Sequence, residues 1–222
     1  MPVLDFIHRF ERGAHPNSRP LLVLHGTGGD EDDLIPLGKM VAPGAPLLSP
    51  RGKVLEHGMP RFFRRLSEGV FDEEDVLARA HELADFVEAA RKEYDIIAPV
   101  ALGYSNGANI AAAVMLLRPK VLAGGILLRA MVPLSASGAM SGLASKRALI
   151  VSGARDPIAP PGNGARLKGM LEQAGADVDH KVLPAGHELS QTDVALAREW
   201  LHEEEPALPA AVCQELLQRI SK

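Results

Sequence analysis

The five residues Gly103-Tyr104-Ser105-Asn106-Gly107 set a serine between two glycines, each two positions away. An apolar run, 96–102, precedes them, and an Ala-rich run, 108–117, follows. That context makes a common pattern into a sharp strand-to-helix turn with the serine at its tip. Such a turn strains the serine backbone and crowds both flanks, so the flanking positions must be small. It leaves an exposed hydroxyl, with the N–H groups of the following helix facing any negative charge that develops beside it. The chemistry on offer is nucleophilic attack, and a serine hydroxyl needs a base within hydrogen-bond reach to perform it.

A base and an acid to orient it are found downstream, each behind an apolar run. Residues 147–153 read as a buried strand and lead into Ala154-Arg155-Asp156-Pro157. Residues 178–183 lead in the same way to Pro184-Ala185-Gly186-His187. Ser105, Asp156 and His187 therefore stand in the order nucleophile, acid, base. Each lies just past a strand, where reactive groups gather in open parallel sheets. Taken singly, Asp-Pro is a common turn, and one of eight histidines falling downstream is unsurprising; the weight lies in the conjunction. Upstream, the short strand 20–24 runs into His25-Gly26-Thr27-Gly28-Gly29-Asp30. The backbone amides of Thr27 and Asn106 are assigned to an oxyanion hole, and His25 to bracing the loop. The loop lacks the Gly-Lys-Ser/Thr ending of a phosphate loop and the glycine spacing of a dinucleotide site.

The segments Leu24-His25-Gly26-Thr27-Gly28-Gly29, Ser49-Pro50-Arg51-Gly52, Gly103-Tyr104-Ser105-Asn106-Gly107, Gly153-Ala154-Arg155-Asp156 and Gly186-His187 span most of the chain. Together they resemble the α/β-hydrolase superfamily. Within it they resemble the small carboxylesterases grouped with phospholipase/carboxylesterase and acyl-thioesterase enzymes, near dienelactone hydrolases. The resemblance implies a serine esterase or thioesterase without a cofactor, with the roles given above for Ser105, Asp156, His187, Thr27 and Asn106. Dienelactone hydrolases proper use a cysteine nucleophile, where this chain has Ser105. The run 102–109 also resembles a bacterial subset linked to quinone and thiol stress.

The elements that must position these residues alternate along the chain. Strands are expected near 2–9, 20–25, 46–49, 96–102, 123–129, 147–152 and 177–183. The clearest helix, 73–91, repeats Val76, Ala80, Leu83, Val87 and Ala90 on one face. Acidic residues open it and Arg91 and Lys92 close it. A further helix is expected at 192–203. The alternation predicts an α/β-hydrolase fold: a mostly parallel central sheet with helices on both faces, and residues 1–222 as a single domain. The short connection 129–146 leaves no room for a substantial lid. A last helix, 209–220, carries Val212, Leu216, Leu217 and Ile220 on one side and is expected to pack on the sheet, a homodimer contact being the alternative. Substrate contacts are expected from Arg51, Phe62, Phe63, Met131 and Val132: the aromatic pair as an acyl-pocket wall, Arg51 (or Arg64 or Arg65) as the partner of an anionic group.

Composition narrows the partners. At 222 residues, with a net charge of −4 and no long basic run, nucleic acid is a poor fit. The single cysteine, Cys213, cannot form an internal disulfide. The first five residues lack the basic and apolar regions of a signal peptide, and no apolar run is long enough to span a bilayer. The expected location is cytoplasmic. His57, His81, His180 and His202 show no metal-ligand spacing, so no metal is expected. The expected partner is a small-molecule ester or thioester. Two alternatives stay open: an acyl thioesterase or lysophospholipase of the same fold, and a noncatalytic small-molecule-binding protein.

Overall fold

Period-two alternation sorts the apolar strand residues onto two faces of one sheet. In a computed structural model, which describes residues 4–15, 17–135, 141–159 and 162–204, the strands are β1 (His8–Glu11), β2 (Leu21–Leu24), β3 (Leu47–Pro50), β4 (Val54–Glu56), β5 (Met59–Arg61), β6 (Arg65–Ser67), β7 (Val70–Phe71), β8 (Val100–Tyr104), β9 (Gly124–Leu128), β10 (Arg147–Gly153) and β11 (Asp177–Leu183). The helices are α1 (Ile35–Val41), α2 (Glu73–Glu93), α3 (Asn106–Leu117), α4 (Asn163–Gln173) and α5 (Gln191–Glu204). Seven strands form the central sheet in the order β1-β3-β2-β8-β9-β10-β11. Only the β1–β3 pair is antiparallel. Leu22, Leu24, Ala101, Leu127 and Ile150 point into one core with α2, α3 and α4. Leu21, Val23, Leu102, Leu128 and Val151 point into the other with α1 and α5.

The boundaries follow local chemistry. The helix expected at 73–91 is α2, capped by the Asp72 carboxylate, which accepts from the Asp75 N–H at 3.2 Å. The strand expected at 96–102 is displaced to β8, 100–104. Pro99 cannot donate to a ladder, and Ile97 before it is exposed. Among the described residues, the strand expected at 2–9 begins at His8, where pairing of His8 with Pro50 and Glu11 with Leu47 starts and ends it. The helix expected at 209–220, with Cys213, lies outside the described residues. The described residues of the connection 129–146 hold no helix or strand. Among the described residues no helix is long and apolar enough to cross a membrane.

The parallel register brings the ends of β2, β8, β10 and β11 to one edge, so the loops carrying Thr27, Ser105, Asp156 and His187 converge there. The turn from β8 into α3 is packed on the end of β2. A Cβ at Gly107 would overlap the Leu24 carbonyl, and one at Gly103 would lie 2.6 Å from the Gly107 oxygen. Overpacking of this kind costs about 1–3 kcal/mol or more. Gly107→Ala is therefore expected to lower the urea unfolding midpoint. Gly169→Ala, inside α4 with open space around the site, is expected to raise it by the equivalent of about 0.5–1 kcal/mol. Equal midpoints for the two variants would contradict this account of the turn.

Candidate active site

Ser105 sits at φ 52°, ψ −114°, a strained conformation for a residue with a side chain. The strain is held by its N–H donating to the Leu128 carbonyl at 2.9 Å and by α3 beginning at once. The result is a hydroxyl at the sheet edge, with Ser105 Oγ 3.0 Å from His187 Nε2. On the far side of the ring, His187 Nδ1 is 2.8 Å from Asp156 Oδ2. A carboxylate only accepts, so Nδ1 carries the proton and Nε2 is free to accept from the serine. Burial pushes the Asp156 carboxyl up, but the amides of Ala159 and Ile158 and the His187 ring outweigh it, leaving the group below its ordinary value and ionised. A second serine–histidine contact, Ser152 Oγ to His180 Nε2 at 3.0 Å, has no carboxylate in hydrogen-bond contact with the imidazole among the described residues.

The loop carrying His187 is gripped from beneath by Arg129. This residue ends β9 in the left-handed region, φ 56°, and its guanidinium is completely buried with the Asp193 carboxylate. Nε donates to the Gly186 carbonyl at 2.9 Å and Nη2 to the Glu188 carbonyl at 2.9 Å, so the neighbours of His187 on both sides are tied to one side chain. Asp193 accepts from Nη1 at 2.7 Å and Nη2 at 3.1 Å, and also caps the start of α5 through Ser190. Tyr104, next to the serine, donates its hydroxyl to the His187 carbonyl at 3.1 Å.

The Thr27 loop is held by the chain that follows β3. His25 is buried; its Nε2 accepts from Gly52 N–H at 2.9 Å and its Nδ1 donates to Gly26 O at 2.6 Å. Gly28 N–H donates to Pro60 O, and Arg61 Nη1 donates to Thr27 Oγ1 at 2.7 Å. The Asn106 side chain accepts from Phe62 N–H at 2.7 Å. The backbone N–H groups of Thr27 and Asn106 have no hydrogen-bond partner among the described residues. Both residues line, with Ser105 and His187, a cleft of about 280 Å³.

Of the other residues singled out in the sequence, Met131 and Arg65 line this cleft. Phe62 and Phe63 are core residues, the first packed at a tilt against His25 and the second edge-to-face with Phe71. Arg51 is engaged in two hydrogen bonds with Glu31, at 2.5 and 2.7 Å, and does not reach the cleft. Arg64 is turned to Asp72. Val132 packs on the core, with its N–H bound to Asn163 Oδ1. Arg61 and Asn109 were missed. Asn109 was accessible to reasoning, because it follows Ser105 by one helical turn.

A family model described as Phospholipase/Carboxylesterase matches residues 7–204. The chain belongs to the phospholipase/carboxylesterase family. It is similar to the putative hydrolase MhqD of Bacillus subtilis, 43% identical over 198 residues, which cover 88% of this chain and 98% of that protein. A Bacillus cereus carboxylesterase superposes with a TM-score of 0.87 at 44% identity, over 90% of this chain and 94% of that one. A carboxylesterase from Mesorhizobium loti gives 0.83 at 36% identity, over 90% and 95%. Family membership makes the chain a hydrolase of the α/β-hydrolase fold.

Two consequences of the buried groups can be measured. Replacing Arg129 by Lys keeps a charge for Asp193 but removes the planar fork that holds both carbonyls, so buried acceptors lose their donors. Arg129→Lys is expected to lower the unfolding midpoint markedly, and more than Arg147→Lys on the surface. Burial also lowers the His25 imidazole below its ordinary value, against the Gly26 carbonyl and nearby carboxylates. Above about pH 6.5 neither state binds the proton. Below it only the unfolded chain does, so stability falls with pH, by up to about 1.4 kcal/mol per unit for one proton. His180, lowered by burial and by Lys168, acts in the same sense. His25→Gln, which can still accept from Gly52, is expected to lose less stability between pH 7 and pH 5 than wild type. Parallel losses in urea titrations would rule His25 out as a contributor.

Proposed function

We propose that the chain is a serine carboxylesterase that hydrolyses small or medium carboxylic esters through an acyl-enzyme on Ser105. The observation that carries this reading is the continuous hydrogen-bonded line from Ser105 Oγ through His187 to Asp156, at 3.0 and 2.8 Å, behind a serine held in a strained turn. His187 Nε2 takes the hydroxyl proton as Oγ attacks the ester carbonyl. Asp156 keeps the imidazole in the required tautomer and stabilises the imidazolium. The unpaired amides of Thr27 and Asn106 bind the oxyanion, at the positive end of α3. The imidazolium then protonates the leaving alcohol. Water, deprotonated by the same nitrogen, attacks the acyl carbon and releases the acid and Ser105.

The carboxylesterase relatives support this reading, as does the cleft. Its volume of about 280 Å³ is at the lower end for small-molecule sites. Much of its lining is polar, including Arg61, Arg65, Glu68 and Asn109. A long alkyl chain would desolvate these groups without return, which disfavours lysophospholipids.

The test is intact-mass analysis after a fluorophosphonate, with p-nitrophenyl acetate turnover, on wild type and Ser105→Ala. One adduct and turnover are expected in wild type. Both are expected to be lost in the variant, with kcat down by about 10⁶-fold. Folded wild type that takes no adduct and hydrolyses nothing would leave a noncatalytic binding protein. Matched oxygen and sulfur esters would separate an esterase from a thioesterase.

A further inference from the structure

The walls of the cleft carry hydrogen-bond donors that the hydrolytic machinery does not use. Asn109 lies one turn along α3 from Ser105, is only 4% exposed, and lines the cleft. Its Oδ1 is fixed by the Met131 N–H at 2.7 Å. That bond settles which way the amide faces and leaves Nδ2 without a partner among the described residues. Arg61 is 3% exposed and also lines the cleft. Its Nε donates to the Phe63 carbonyl at 3.1 Å and its Nη1 to Thr27, while Nη2 has no partner among the described residues. Neither atom is among the fully buried, unpartnered ones, so both donors open onto the cleft, where an entering anion can accept from them in place of water.

The charge on this wall is unbalanced. Arg61 and Arg65 share a single carboxylate, Glu56, with contacts of 3.3 and 2.8 Å. Two cations against one anion leave one positive charge on this wall, opposed only by the solvent-screened Glu68 at the rim. Burial pushes the Arg61 guanidinium downward, with Glu56 opposing and Arg65 adding to the push; an entering anion would relieve both penalties. The one carboxylate among the cleft's described lining residues is Glu68, at the exposed turn between β6 and β7.

Resting on the esterase reading, we infer that the preferred substrates are small esters bearing a second, anionic carboxylate a short reach from the scissile carbonyl, received by Asn109 Nδ2 and the Arg61–Arg65 wall. Of the three arginines to which the sequence offered an anion-binding role, Arg51, Arg64 and Arg65, this gives it to Arg65, with Arg61 and Asn109 beside it. The carboxylate can sit on the acid part or on the leaving alcohol, and two matched series separate these. Monoethyl succinate is compared with ethyl 4-oxopentanoate for the acid side, and acetoxyacetate with acetoxyacetone for the alcohol side. The ratio of kcat/KM, anionic over neutral, is measured for wild type and three variants. Asn109→Asp keeps the acceptor for Met131 and replaces the free donor by an acceptor. Arg65→Gln removes one cation, and Glu68→Gln removes the rim anion.

In at least one series the wild-type ratio is expected to exceed 10. In that series Asn109→Asp should lower it by about 10- to 100-fold, the range for a hydrogen bond to a charged group. Arg65→Gln should lower it less, and Glu68→Gln should raise it. Ratios at or below one in both series, or a wild-type ratio that Arg65→Gln and Glu68→Gln leave unmoved, would overturn the inference while the esterase reading stands. Failure of wild type to hydrolyse any of the four esters, with no fluorophosphonate adduct, would remove both.

Discussion

The contact on which the site geometry turns is that of the first turn of α3 with the end of β2. Gly107 lies so near the Leu24 carbonyl that no side chain fits between them. Closing that gap brings the Ser105 turn and the Thr27 loop, from strands far apart in sequence, to the same corner of the sheet. The strain at Ser105 is tolerated because its surroundings leave no alternative: its N–H is bound to β9 and α3 is buried along nearly its whole length. A serine in a relaxed turn would have neither the exposure nor the alignment with His187.

Around that corner the structure relies on arginines used in two different ways. Arg129 spends every donor direction inside the protein, on Asp193, Val151 and the two carbonyls flanking His187. It is a fixed strut, because a planar fork can hold several acceptors at once. Arg61 is only partly committed, tying Thr27 and the Phe63 carbonyl while one end of its fork stays unbound. The first arrangement fixes the His187 loop and the second keeps a charge at the cleft.

Much of this was legible in the sequence because strand ends carry a plain signature. The apolar runs before Ser105, Asp156 and His187 gave the order of the three residues, and β10 and β11 lie close to where those runs fall. The hairpins β4–β5 and β6–β7 were not legible: they are two or three residues per strand, too short to show alternation. They nevertheless supply one wall of the cleft and the brace for the Thr27 loop. Helix α1 was hidden by Pro36 and Gly38, and α4 by Gly164 and Gly169 within it. Phe62 and Phe63 were read as pocket wall because of their place after β3, yet a buried aromatic contributes more to a core than to a wet cleft. Arg51 was misplaced because its partner Glu31 lies in a loop with no periodic pattern.

The strand that leads to His187 is one of the two outer strands of the sheet, β1 being the other. β11 pairs with β10 along one side, and among the described residues no strand lies on its other side. Asp177, Asp179 and Lys181 place charges along it that discourage a further strand from adding there. An edge element of this kind belongs to the part of a protein that opens first, well below the free energy of global unfolding. His187 therefore hangs from an edge strand, and Arg129 couples its loop to β9, two strands inward. Subglobal opening at this edge would separate His187 from Ser105 while the rest of the sheet stayed folded.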